Sequence, residues 1–247
     1  MATIDNIRKN RLEKLEAIKK AGMNPYPAKT KKTHQIGEAL SDFNKLVKAK
    51  KKIVLAGRIR LIRRHGGSCF LHFEDGSGRV QALFKQDKLG KKKYQFFLDN
   101  FDVGDFIEIK GTLFKTKTGE KTILVSDYTI LAKSLLPLPE KWHGLKDEEI
   151  RLRKRYLDFI FHPEAKELFV KKERFWSSMR EFLKRRGFLE VETPILEATA
   201  GGADADPFVT HHNALDIDVC LRISMGELWQ KRLMVAGFEK TFEIGRQ

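Results

Sequence analysis

Ile53-Val54-Leu55-Ala56-Gly57-Arg58-Ile59-Arg60-Leu61-Ile62 opens a stretch in which short β-rich runs alternate with turn signals, and this stretch decides the fold. Four more runs follow: Cys69-Phe70-Leu71-His72-Phe73-Glu74-Asp75, then 79–84, 106–114 and 122–131. The breaks between them are Arg64-His65-Gly66-Gly67, Asp75-Gly76-Ser77-Gly78, Val103-Gly104-Asp105 and Lys117-Thr118-Gly119-Glu120, each with a glycine that tolerates positive φ. Residues 91–100 suit a helix between the third and fourth runs. Five short strands in a Greek-key barrel with a helix at that point is the OB-fold pattern. In that fold the second and third strands and their flanking loops bind oligonucleotides or sugars.

Upstream, Ile4, Ile7, Leu12, Leu15 and Ile18 recur among Arg, Lys and Glu, which predicts an amphipathic helix stopped near Gly22. Pro25 and Pro27 enforce an extended connection, and a second helix is expected around 36–47. Downstream, Leu135-Leu136-Pro137-Leu138-Pro139 reads as a stiff linker. Helices are then expected over 150–161 and 163–186, closed by Gly187, with Phe188 to Leu196 as a strand ended at Pro194. Residues 215–223 and 240–245 read as further strands around a helix over 225–236.

The fold expected is therefore multi-domain, β followed by α/β. A helical N-terminal arm covers 1–50, a five-stranded OB-fold barrel 51–133 and a linker 134–149. An incomplete α+β domain with a mixed or antiparallel sheet begins at 150 and runs to 247. A chain of 247 residues suits such a division.

The composition, 41% apolar with 18 Phe, can bury a core, and 33% charged residues give it a hydrophilic surface. A formal net charge of +15, with clusters at Lys48, Lys50, Lys51, Lys52 and at Lys91, Lys92, Lys93, suits a polyanionic partner. RNA, DNA and an acidic membrane surface all fit that charge. No apolar run approaches the ~20 residues that span a bilayer, and Met1 to Asn10 lack the apolar stretch of a signal peptide, so a cytoplasmic location is expected. The two cysteines, Cys69 and Cys220, are far apart and have no partner at zinc-ligand spacing, so no metal site is expected.

Within the barrel, side chains alternate along a strand, so Phe70 and Phe73 lie on opposite faces and Phe70 shares its face with His72. Phe70 can stack on a base with Gln81 reading the base edge, or Phe70 can be core and Gln81 simply solvated. Arg58, Arg60, Arg63 and Arg64 add phosphate or base contacts that a sugar-binding barrel would not need. Glu120, beside a loop glycine, can accept from a base amino or imino group or be a surface charge. In the second domain, Ala200-Gly201-Gly202-Ala203 allows close backbone approach to a ligand, and Glu227 opens a helix where its carboxylate suits the dipole or grips an ammonium.

Several runs, read together and in order, resemble the class II lysyl-tRNA synthetases. They are Phe114-Lys115-Thr116-Lys117-Thr118-Gly119-Glu120, Leu138-Pro139-Glu140-Lys141-Trp142-His143-Gly144-Leu145, Arg155-Tyr156-Leu157-Asp158, Gly187-Phe188-Leu189-Glu190-Val191-Glu192-Thr193-Pro194, and Gly201-Gly202-Ala203 with Pro207 to Asp216. The resemblance implies a barrel that reads the anticodon of lysine tRNA, with Phe70 stacking and Arg63, Gln81 and Glu120 hydrogen-bonding to bases. It implies that Gly187, Glu192 and Pro194 lie in motif 1, the homodimer-forming segment, and that Gly202 and Glu227 bind the α-amino end of lysine. Around Glu227 the chain departs from the commoner pattern: Met225-Gly226 stands where many relatives carry a single proline.

The family reaction uses ATP and magnesium to form lysyl-adenylate and then charges the tRNA 3′ end. The resemblance puts the motif 2 arginine and the magnesium carboxylates beyond Gln247, so this stretch alone is expected to be catalytically incomplete. Other readings are a tRNA-binding module without catalysis, an aspartyl or asparaginyl synthetase, and an unrelated barrel that binds single-stranded DNA. The Gly-Gly-Ala and Thr-His-His-Asn runs argue against the aspartyl and asparaginyl enzymes, and a DNA-binding barrel leaves the second domain without purpose.

Overall fold

The barrel strands follow from alternation. In β1 (Lys52–His65), Ile53, Leu55, Gly57 and Ile59 point inward, and in β2 (Ser68–Glu74) so do Cys69, Leu71 and Phe73. In a computed structural model, residues 3–139, 147–202, 204–225 and 227–246 are described. The chain divides into two compact units, Met1–Lys146 and Asp147–Gln247. The Glu140 to Leu145 part of the resemblance, together with Ala203 and Gly226, lies outside the described residues.

In the first unit β1, β2, β3 (Arg79–Lys85), β4 (Phe106–Lys115) and β5 (Lys121–Ala132) close a barrel in the order β1-β2-β3-β5-β4. Among the described barrel strands, β3 and β5 pair in parallel and the other neighbours antiparallel, with Gln81 opposite Thr122 and Leu83 opposite Leu124. Closure needs bends, and one falls at the register shift between Lys110 and Gly111. Here a Cβ on Gly111 would stand 2.1 Å from the Leu124 carbonyl oxygen, so only glycine lets the two strands approach.

The core is aromatic at one end. Phe84 of β3 stacks on Phe97 of α5 (Lys91–Asn100) at 4.1 Å, and Tyr128 and Phe101 meet Phe97 in tilted or edge contacts. A one-turn helix, α4 (Gln86–Leu89), precedes α5.

The N-terminal helix α1 (Ile4–Lys20) buries Leu15 and Ile18, and Thr3 caps it by accepting the Asn6 amide at 3.3 Å. Its Arg11 donates to the carbonyls of Ser134, Leu136 and Val103 at 2.9, 3.0 and 3.1 Å, which ties the helix to the end of the barrel. The single helix expected over 36–47 is two, α2 (Ile36–Ser41) and α3 (Phe43–Lys48), because Asp42 leaves helical geometry between them at φ -85°, ψ 12°. Asp75, in the loop between β2 and β3, accepts the Ile36 amide at 3.0 Å and so anchors the start of α2.

In the second unit the helix expected over 150–161 is also split, at Lys154, into α6 (Glu148–Arg153) and α7 (Arg155–Phe161). The buried Asp158 carboxylate holds the pair together, accepting from Arg151, Arg155 and His162 at 2.8, 2.9 and 2.7 Å. Pro163 opens α8 (Pro163–Arg185) at the position where its missing N–H costs nothing, and Gly187 ends the turn after it at φ +81°.

Phe188 to Leu196 is not one strand. Its two ends, β6 (Leu189–Glu190) and β7 (Leu196–Glu197), pair in different sheets, β6 with β10 (Thr241–Phe242) and β7 with β9 (Ile217–Leu221). Between them Thr193 bonds to the Glu243 side chain instead of a ladder, and Pro194 has no N–H to offer. The expected strand over 215–223 proves to be half of a hairpin. Val209–His212 forms β8, antiparallel to β9, and Asp216 turns the chain at φ +52°. Helix α9 (Glu227–Val235) follows.

Candidate nucleic-acid interface

The end of β1, the outer face of β2 and β3, and the β4–β5 loop enclose an open cleft of about 760 Å³. Strand pairing builds it: Arg63 stands opposite Phe70, and Phe70 opposite Leu83, so consecutive strands deliver a cation and a ring side by side. All four barrel candidates, Arg63, Phe70, Gln81 and Glu120, line this cleft, with Arg64, His72 and Lys117 beside them. Phe73 is fully buried, whereas Phe70 is half-buried and lines the cleft, so the two rings lie on opposite faces of β2.

Gln81 is not simply solvated. Only 7% of it is exposed, and its amide nitrogen donates to Thr122 Oγ1 at 2.9 Å while its Oε1 lies 3.2 Å from His72 Nε2. The β4–β5 loop is held by its own bonds: the Thr116 amide donates to the Glu120 carbonyl at 3.0 Å, and the Glu120 amide to Thr116 Oγ1 at 2.9 Å. That leaves the Glu120 side chain exposed at the rim. Two of the four arginines point elsewhere. Arg58 stacks on Phe106 at 4.4 Å and Arg60 pairs with Glu74 at 3.2 Å, so the cleft's strand cations are Arg63 and Arg64.

Sequence reasoning passed over Thr122, which comes to lie opposite Gln81 through the parallel pairing of β3 and β5, 41 positions along the chain.

In the second unit Gly202 and Glu227 come together. Gly202 sits at φ +91°, and a Cβ there would lie 2.3 Å from Ser224 Oγ and 3.2 Å from Glu227 Oε2. The Glu227 carboxylate also accepts from Lys231 Nζ at 2.8 Å, one helical turn on. The three motif 1 candidates, Gly187, Glu192 and Pro194, are all exposed. Thr193, between Glu192 and Pro194, is tied to the buried Arg222–Glu243 pair, whose ion contact is 2.7 Å. Among the described residues no group of three His, Cys, Asp or Glu side chains could hold a metal ion.

Residues 53–131 match the family model of an OB-fold nucleic acid binding domain, and residues 147–247 that of the class II tRNA synthetases (D, K and N). Similar curated proteins are the lysine–tRNA ligases of Carboxydothermus hydrogenoformans, 49% identical over 98% of this chain and 49% of the relative, and of Thermotoga maritima, 47% identical over the same shares. That of Clostridium botulinum is 46% identical over 98% of this chain and 47% of the relative. The chain spans about half the length of the curated relatives it matches. With a closed OB barrel followed by a segment that matches the class II synthetases, both in the expected order, the chain is similar along 98% of its length to about half of a lysine–tRNA ligase.

Proposed function

We propose that this chain supplies the anticodon-reading part and the beginning of the catalytic part of a lysine–tRNA ligase. The whole protein would activate lysine with ATP and transfer it to the 3′ end of lysine tRNA in the cytoplasm. The observation that carries the reading is the convergence of Arg63, Phe70, Gln81 and Glu120 on one cleft. A ring for stacking, a guanidinium, an amide and a carboxylate are what recognition of an unpaired base requires. The division is a helical arm over 1–50, the anticodon-binding barrel over 51–133, a linker over 134–149 and the start of the catalytic domain over 150–247.

In the second unit, Gly202 and Glu227 would receive the α-amino end of lysine, an ammonium beside a carboxylate, with the glycine admitting the substrate backbone. ATP is the co-substrate. Magnesium is typical of the family, and the described residues contain no group of three His, Cys, Asp or Glu side chains that could hold it.

A homodimer through the motif 1 region of Gly187, Glu192 and Pro194 is favoured by α8. Its Leu168, Phe169, Phe175, Met179 and Phe182 are each at least 41% exposed. Apolar surface of that extent is rarely left to water. No helix among the described residues is long and apolar enough to cross a membrane.

The family model for the second unit spans the aspartate and asparagine enzymes as well. Binding of the chain to lysine tRNA in competition with asparagine tRNA, which shares the middle uracil of the anticodon, tests the lysine assignment. Preference for lysine tRNA is expected, and equal or reversed preference would overturn it.

A further inference from the structure

We infer that Thr122 is a positioning residue that fixes which way the Gln81 amide faces, and so sets whether the cleft accepts uracil or cytosine. The inference rests on the anticodon reading above. Thr122 is fully buried, and its hydroxyl hydrogen is committed to the Glu120 carbonyl oxygen at 3.2 Å. A hydroxyl has one hydrogen, so toward Gln81, 2.9 Å away, Thr122 can only accept. The side of the amide that meets it must therefore be the NH2 group.

The carbonyl side is then turned to His72, whose Nε2 at 3.2 Å must carry a hydrogen. Both the neutral Nε2–H tautomer and the imidazolium meet that condition. What remains for the cleft is one amide hydrogen and one carbonyl lone pair, in a fixed order.

Order is the discriminating quantity. Uracil and cytosine have the same outline and stack equally on Phe70. Along the same edge, however, uracil offers an acceptor O4 beside a donor N3–H, and cytosine a donor N4 beside an acceptor N3. A glutamine free to flip serves either base, whereas one locked by Thr122 serves only one. The middle base of a lysine anticodon is uracil, so the lock should exclude cytosine there.

The test measures the binding of the 247-residue chain to RNA hairpins carrying a UUU or a UCU anticodon loop, at one salt concentration. Wild type should favour UUU by about fivefold or more. Thr122→Val, similar in volume but unable to accept, should bring the ratio close to one, chiefly by improving binding of the UCU loop. Thr122→Ser should restore the ratio. His72→Leu, which removes the donor on the other side, should also shrink it, providing a second arm should Thr122→Val unfold.

If Thr122→Val and His72→Leu keep the wild-type ratio, or lose affinity for both loops equally, the positioning role is overturned while the anticodon reading stands. If wild type itself shows no preference between UUU and a scrambled loop, the anticodon reading fails, and this inference with it.

Discussion

The Lys133 ammonium lies 2.7 Å from Asp105 Oδ2, with both side chains fully buried, and it also reaches Asp102 at 2.6 Å and the Asn100 carbonyl at 2.9 Å. Burial pushes the Asp105 carboxyl up from its ordinary value, and Lys133 opposes that push. A second cation, Lys14 of α1, shares Asp102 at 2.6 Å. The residue that follows the last barrel strand and the N-terminal helix thus meet at one charged cluster, from which removing either sign leaves the other stranded.

Lys133→Met should therefore cost about 3–5 kcal/mol, the penalty for leaving a buried charge uncompensated. Urea unfolding followed by far-ultraviolet circular dichroism measures it. A loss under about 1 kcal/mol would mean that the cluster is hydrated or dispensable.

Phe70→Ala should weaken binding to a lysine-anticodon hairpin by about 1–3 kcal/mol, the range for one stacked base. Stability should change little, because the ring is only half-buried and Phe73 occupies the core position of that strand. A calorimetric titration alongside a thermal melt separates the two effects. Intact affinity would move the stacking platform to another residue.

The barrel was largely legible in the sequence, and the first of its reasons is local. Alternating runs such as Ile53 to Ile62, broken by glycine turns, carry their own period, and each of the five strands forms where that period places it. The four cleft residues were legible once their positions matched the family's motifs. Their mutual bonding was not: Gln81 and Thr122 are 41 positions apart, and only the parallel β3–β5 pairing joins them. Phe188 to Leu196 misled for a similar reason. Its apolar pattern suits a strand, but the chain passes from one sheet to another there, and Thr193 takes its partners from Glu243 and Arg222, distant in sequence. Breaks at Asp42 and Lys154 left no signal as strong as a proline or glycine.

Asp75 gives the fold an acid-sensitive joint. Burial would raise its pKa, but the Ser77 hydroxyl and the amides of Ile36, Ser77 and Gly78 outweigh that and hold the carboxyl below the usual range. The unfolded chain takes up this proton near pH ~3.9, above the folded value. The contribution is thus complete above about pH 4 and is lost as pH falls through the depressed folded value. Asp75→Asn should destabilise the barrel unit by ~1 kcal/mol at pH 7, with the gap to wild type closing in acid. Urea midpoints at pH 7 and pH 3 check it, and a gap independent of pH would contradict the assignment.

Gly202→Ala should strain the second unit, because a methyl there meets Ser224 Oγ at 2.3 Å and the backbone sits at φ +91°. A loss of about 1–3 kcal/mol is expected from the backbone conformation alone. Hydrogen exchange should show the loosening around Gly201, Gly202 and Ser224 and leave the barrel amides unchanged. Unaltered exchange in this loop would show that the contact relaxes freely.

If the barrel cleft reads an anticodon, its affinity for RNA cannot come from the net charge of +15 alone. The most direct measurement is a titration of the chain with a lysine-anticodon hairpin and a scrambled-loop hairpin across a salt series, because charge-driven affinity falls steeply and equally for both as salt rises. An anticodon-reading cleft should give parallel salt slopes separated by a constant preference for the lysine loop, which disappears in Phe70→Ala. Coincident lines for the two hairpins would contradict it.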